Sequence, residues 1–317
     1  MKSALLVLGV AALPRLLNAT AKKHVLGMIL ITAIQAACFT LIKAGLEFAP
    51  PLLFGGMRAL IGGSALLTLV AIRRGPLVPP RSTWSAVLLL SAVATTITFG
   101  AMFLSPGRTE AGIASALGNL QPFFTLLLAF WLFSERLSAY KAAAVILGLA
   151  GVTLISYPAL SDSGALGLSG AALALAVSLG ASAANVMVKR MSLGDLLLTV
   201  TGWQLAMGGF FLILLSGLAG EGTAVTISSE FVGLLLFLAL AGTASVIALW
   251  FAFVQEGEMG QLATFFYLVP VFGLAIAVVV FGEPVTGFTL GGVLVILLAV
   301  GLMAFERPPA EPNFSRT

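Results

Sequence analysis

The segment from Pro122 to Glu135 returns as the segment from Pro270 to Glu283, each a proline, an apolar run and a glutamate, with both end residues displaced by 148 positions. Lys43 followed by Gly62–Gly63 returns in the same way as Lys189 followed by Gly208–Gly209, displaced by 146. Two matched patterns at nearly one spacing mark a duplication, so two related halves packed on each other are expected.

Hydropathy says what the halves are made of. Hydrophobic residues fill 60% and charged residues only 9% of the 317 positions, against about 45–50% and about 25% in a soluble domain. Apolar runs fall near 24–43, 52–72, 84–105, 110–133 and 140–158, and again near 166–188, 196–217, 230–252, 260–281 and 286–305. Each is about 20 residues, enough to cross a hydrocarbon core of ~30 Å as a helix. The breaks carry helix-ending punctuation such as Pro50–Pro51, Ser105–Pro106–Gly107, Lys189–Arg190 and Glu256–Gly257–Glu258. The predicted fold class is an all-α integral membrane protein of ten transmembrane helices in a lipid bilayer, arranged as two inverted five-helix repeats.

Inversion follows from charge. Lys2, Arg15, Lys22, Lys23, Arg73, Arg74, Arg81, Arg136, Lys141, Lys189, Arg190, Arg307 and Arg316 fall on the side shared by both termini, Lys43 and Arg108 on the other, and Arg58 inside a helix. Basic loops stay cytoplasmic, so both termini are expected there. A displacement of five helices is odd and turns the second copy over. The loop after the fourth helix, with Arg136 and Lys141, accordingly faces opposite to the loop after the ninth, with Glu283–Pro284 and no basic residue. The expected organisation is a cytoplasmic extension at 1–23, repeats at 24–160 and 161–307, and a cytoplasmic tail at 308–317. Residues 1–23 faintly resemble a signal peptide, but a multi-span chain needs none, and an extension or an upstream start codon is the preferred reading.

Several classes are excluded. The net charge of +4 and pI near 9.5 come from basic residues scattered through short loops, with no basic patch interleaved with aromatics, so no nucleic-acid partner is expected. One cysteine, Cys38, permits neither an internal disulfide nor a multi-cysteine metal site. No P-loop, HExxH or GxSxG pattern occurs and His24 is the only histidine, so neither an enzyme nor a cofactor is expected.

Lys43, Pro51, Arg58, Gly112-Ile-Ala-Ser-Ala, Pro122, Ser134-Glu135-Arg136-Leu137 and Gly148 to Gly151 form one string of landmarks. Trp203-Gln204-Leu205, Gly208–Gly209, Gly242-Thr243-Ala244, Trp250, Pro270 and Gly282-Glu283-Pro284-Val285 form the second. With them, residues 26–306 resemble the drug/metabolite transporter superfamily in its ten-helix EamA-type branch. The resemblance implies a secondary transporter of the plasma (inner) membrane that exports amino acids or related small metabolites. Gly287 and Gly291 form a small-xxx-small pair that could pack a neighbouring helix or a second protomer, and a monomer is preferred to a homodimer. Alternating access would run through a central cavity, with helices one to four and six to nine around it and helices five and ten supporting. Efflux of cationic drugs or sugar-like metabolites, or a non-transporting channel or sensor, are the alternatives.

Candidate site residues come from polarity in apolar surroundings. Arg58 lies about two turns into its helix, where an arginine costs at least ~2.5–3.5 kcal/mol. Its fork could grip a substrate carboxylate or phosphate, or it could snorkel to the outer interface or bind helix-end carbonyls and Glu47. Pro122 and Pro270 each remove a helix hydrogen bond in mid-span, either opening the backbone at a substrate cavity or only kinking the helix. Asn119, Gln121, Thr125 and Tyr267 lie beside them and are expected to line that cavity, as is Gln204. Trp84, Trp203 and Trp250 read by default as interfacial anchors, with cavity lining the alternative for Trp203 and Trp250. Glu135 and Glu283 stand at unfavourable helix C-termini and need a nearby helix start, with Ser138 and Thr286 as N-caps, proton coupling being the alternative role. The repeat partners Glu110 and Glu258 read as coupling or gate residues, or else as solvated ends.

Overall fold

The computed structural model describes residues 19–105, 117–135, 137–161, 168–222, 225–281 and 285–305, and all regular structure in them is helical. The first half holds α1 (Ala19–Gly45), α2 (Pro51–Ile72), α3 (Arg81–Leu104), α4 (Gln121–Phe133) and α5 (Ala139–Ser161). The second holds α6 (Leu168–Met191), α7 (Leu197–Leu218), α8 (Ser229–Glu256), α9 (built of Met259–Thr264, Phe265–Tyr267 and Leu268–Phe281) and α10 (Gly287–Phe305). Seven helices, α1–α3 and α6–α9, are long and apolar enough to cross a membrane; the apolar stretches Gln121–Phe133, Ala139–Ile155 and Gly287–Leu302 are shorter. The chain is therefore a multi-pass membrane protein. α1 begins at Ala19, inside the expected extension.

The starts of α5, α8 and α10 are capped by short polar side chains that accept orphan N–H groups. Ser138 Oγ accepts from Lys141 N at 3.1 Å, and Thr286 and Thr289 exchange hydroxyl and backbone bonds at the start of α10. Pro51 opens α2, where a missing N–H costs nothing. The Glu221 carboxylate then accepts from Leu52 N and Leu53 N at 3.0 and 3.2 Å.

Loop contacts sort the helix ends. Thr199 Oγ1 and Trp203 Nε1 donate to Pro76 O and Leu77 O, and Lys189 Nζ to Gly257 O. These gather Arg73, Arg74, Arg81, Lys141, Lys189 and Arg190 at one end, here the basic end. Thr226 N donates to Phe48 O beside Glu221, which places Lys43 and Glu47 at the opposite end.

α2 and α7 cross at glycines. A Cβ on Gly63 would stand 2.6 Å from Gly202 O and 2.5 Å from Ala206 N, and one on Gly56 would stand 2.9 Å from Gly209 O. Gly56 and Gly202, like Gly63 and Gly209, are 146 positions apart, so the crossing is reciprocal. Close backbone approach at small residues is how membrane helices gain packing without a hydrophobic drive. Gly63→Leu should therefore push the backbones apart, with about 1–3 kcal/mol of overpacking cost or more; a fall in detergent thermal midpoint checks this, and an unchanged midpoint would contradict the crossing.

Two features were not legible in advance. α3 contains a π-helical stretch at Ser91–Ile97, and α8 contains one at Leu240–Ser245. Each widened turn is stitched by a threonine hydroxyl reaching back five residues, Thr98 to Val93 O at 2.7 Å and Thr243 to Leu238 O at 2.9 Å. π-helical turns are rare and concentrate at functional positions.

Candidate functional site

A cavity of about 800 Å³ lies among α1, α3, α4, α6, α7, α8 and α9. Exposed Lys43 and Glu47 line it, together with Ser105 and Leu46, so it reaches the surface at their end of the molecule. No residue of α2 lines it, contrary to the expected ring of helices one to four. Its walls are mostly apolar, with Phe99, Trp250, Phe251 and Phe266 presenting rings. Polar groups are few, as expected of a ligand pocket. Those in the depth are uncharged: Gln35, Thr98, Asn119, Gln121, Asn185 and Gln204.

Of the residues singled out in the sequence, Asn119, Gln121, Gln204, Pro122 and Pro270 are brought to this cavity. Thr125 stands behind the lining, bonded to Ser182 at 3.1 Å and Asn185 at 3.4 Å. Tyr267 corrects the expectation: it is fully buried and its ring lies against Gly148 of α5, where a Cβ would collide with it. The small residue there lets a large ring fill the gap between helices. Glu110 and Glu283 lie outside the described residues.

Arg58 also departs from expectation. It neither lines the cavity nor snorkels to Glu47, but is 2% exposed, with Nε donating to Thr243 Oγ1 at 2.6 Å and Nη2 to Gly242 O at 3.1 Å. The guanidinium also sits 5.3 Å from the Phe99 ring centroid and 5.9 Å from that of Phe103. Its Nη1 has no partner among the described residues. A wide π turn leaves carbonyl and hydroxyl groups turned outward, and these replace the water that the cation has lost. Gln204, 146 positions on, does the same for the other half, since its Nε2 bonds Thr95 Oγ1 in the π turn of α3. Thr95 and Thr243 are themselves 148 apart. One member of each pair is thus a polar staple from α2 or α7 into a widened turn of α8 or α3.

Pro122 stands not in mid-helix, as expected, but in the first turn of α4, where its missing N–H costs nothing. The carbonyls of Leu117 and Gly118 just before that start accept from the Ser178 hydroxyl of α6, both at 2.8 Å. Asn185 is missing from the sequence-based candidates, where Trp250 stands as a default anchor. Asn185, 1% exposed, takes the Trp250 indole proton on Oδ1 at 2.8 Å, and both line the cavity. Trp250 is 5% exposed, so the default interfacial anchor does not hold for it. Trp203 does sit at a helix end, packed edge-on to Trp84 at 5.3 Å. Asn185 was hidden by its position late in an Ala/Ser-rich run; its polarity was the signal available.

The cavity stops short of the basic end, where charges interlock. Lys189 pairs with Glu135 at 2.8 Å, and Lys141, 2% exposed, pairs with Glu258 at 2.7 Å. The Glu135 carboxylate also accepts from Met259 N at 3.0 Å and Gly260 N at 3.2 Å, the first N–H groups of α9. The helix start that compensates Glu135 is therefore α9, through its N-terminal dipole, rather than α5 alone. Glu258 is one member of a partly buried pair, not a solvated end. Four segments meet here: the ends of α4 and α6, the start of α5 and the α8–α9 turn. Among the described residues, no group of three or more His, Cys, Asp and Glu side chains comes together as a metal site would require.

A model of the EamA-like transporter family matches residues 22–157 and again 168–305. The chain belongs to the EamA-like transporter family. Similar proteins include the uncharacterized transporter YvbV of Bacillus subtilis, 30% identical over 83% of this chain and 85% of that one. A probable amino-acid metabolite efflux pump of Salmonella typhimurium is 30% identical over 87% of this chain and 93% of its own. One solved crystal structure of a protein 20% identical superposes with a TM-score of 0.74 over 87% of this chain and 94% of that one, a likeness of fold. The EamA-like assignment and the apolar helices agree on a membrane transporter.

Proposed function

We propose that this EamA-like protein is a monomeric secondary exporter of amino acids or related small metabolites in the inner membrane. It works by alternating access between two inverted repeats, with both termini cytoplasmic. The observation that carries the reading is the blind cavity, reaching the surface beside Lys43 and Glu47 and ending before the ion pairs of the basic end. A permanently open channel needs no such closure. The reciprocal glycine crossing and the paired staples support inversion, because a two-fold relation makes each contact occur twice. Support for the substrate class comes from the efflux pump relative and from a pocket of uncharged polar groups and aromatic walls. In this reading Glu258 is a gate residue through its pair with Lys141, and the π turns gripped by Arg58 and Gln204 are the points where α3 and α8 flex.

Reconstituted protein should show saturable uptake of labelled amino acid that is accelerated by unlabelled amino acid on the opposite side. Flux that rises linearly with concentration and shows no such exchange would sink the carrier reading. For the gate, Lys141→Glu should impair exchange by about tenfold, and Lys141→Glu combined with Glu258→Lys should recover much of it, since the pair is restored with its poles reversed. A double variant no better than the single one would remove Glu258 from the gate.

A further inference from the structure

We propose that Asn185 is the anchor for a carboxylate on the transported molecule, with Trp250 holding its amide so that an N–H faces the ligand. This rests on the transport reading above and extends it to one side chain and one chemical group. An indole nitrogen only donates, so the Asn185 atom 2.8 Å from Trp250 Nε1 is the oxygen, and Nδ2 is turned the other way. Among the described residues it meets only Thr125 Oγ1 there, at 3.4 Å, long for a hydrogen bond. The Thr125 proton goes to Ser182, whose own proton goes to the carbonyls of Gln121 and Ser178. An amide nitrogen carries two hydrogens, and with one acceptor among the described residues the second has none, in a side chain that is 1% exposed and lines the cavity. A buried donor left unpaired is costly, and a ligand acceptor relieves that cost.

Symmetry separates this pair from the scaffold. The staples occur in both halves, as Arg58 with Thr243 and Gln204 with Thr95. The positions matching Asn185 and Trp250 are Phe39 and Met102, so the amide–indole pair exists in one half only and is no part of the shared frame. Charge selects the ligand group. Glu47, at the mouth, is the one acidic side chain among the described lining residues, whereas the Arg58 cation lies just behind Phe99, a cavity wall. A positive field from behind the wall and a neutral donor in it favour an anionic oxygen over a cationic group. The apolar remainder of the ligand would rest on Phe99, Trp250 and Phe266.

The test measures affinities of purified protein for L-leucine and L-leucinamide, which differ in the carboxylate, by ligand-dependent thermal stabilisation. Wild-type protein should bind leucine at least about tenfold tighter, and Asn185→Asp, which keeps an acceptor for Trp250 but loses the N–H donor, should reduce that ratio below about twofold. If Asn185→Asp does not fold, Trp250→Phe, which frees the amide to turn, should lower the ratio at least about threefold. Wild-type binding of leucine with the preference intact in the variant overturns the Asn185 assignment alone. Equal wild-type binding of both compounds overturns the carboxylate preference. Wild-type binding of neither overturns the amino-acid reading as well.

Discussion

Glu135→Ala is expected to unlatch the basic end and move the protein toward a state open on that side. Glu135 is 8% exposed and holds three groups at once: the Lys189 ammonium at 2.8 Å and the N–H groups of Met259 and Gly260. Removing it leaves Lys189, itself 19% exposed, without its counter-charge, and breaking a buried pair in this way costs about 3–5 kcal/mol. Loss of the cap on α9 adds about 1 kcal/mol. The cost falls on the closed arrangement alone if the pair parts when the end opens, and about 2 kcal/mol of such difference shifts the two populations about thirtyfold. The measurement uses a Gln121→Cys reporter in a Cys38→Ser background, labelled by a membrane-impermeant maleimide from either side. The parent should label from the Lys43 side, and Glu135→Ala should raise labelling from the basic side by about tenfold or more. Glu135→Gln, which can still accept a backbone N–H but lacks the charge, should fall between. If the ratio of the two sides does not move at normal protein abundance, the ion pairs are packing and not a latch.

Arg58→Met is expected to abolish transport, by about a hundredfold or more, without lowering thermal stability. The two halves of this prediction come from one fact: the cation is buried, its Nη1 has no partner among the described residues, and its oxygen acceptors there, Thr243 Oγ1 and Gly242 O, are both neutral. A charge removed from water costs several kcal/mol even after relaxation, and neutral partners repay part of that. An apolar side chain of similar length ends this cost. It orphans no donor, because the Thr243 hydroxyl already gives its proton to Leu238 O. Transport fails because the positive field behind Phe99 and the grip on the α8 π turn both vanish. Arg58→Lys keeps the charge but not the fork, and should retain more flux than Met. Flux near wild type in Arg58→Met would show the staple to be dispensable. A large fall in melting temperature would show it to be structural.

The membrane class was legible because a hydrocarbon core admits only long apolar runs, and seven helices among the described residues meet that demand in length and composition. Caps at Ser138 and Thr286 were equally legible, since they depend on neighbours three residues away. Glu135 was half legible: its need for a helix start could be read from the dipole, but that α9 supplies it could not, because Met259 lies 124 positions on. Tyr267 misled because adjacency to Pro270 says nothing of which way a ring faces, and the space beside Gly148 decided that. Arg58 misled because its cost pointed to a carboxylate. The partner turned out to be widened backbone, and no local pattern announces a π turn.

The sequence by itself determined the medium, the duplication and the sorting of charge, all of which are properties of composition and spacing along the chain. Only the tertiary structure decided which polar groups reach the cavity, which are staples, and that Asn185 and Trp250 stand side by side. Those outcomes depend on contacts between residues 65 to 185 positions apart. Their geometry is set by how closely glycines let the helices approach, not by anything either segment carries alone.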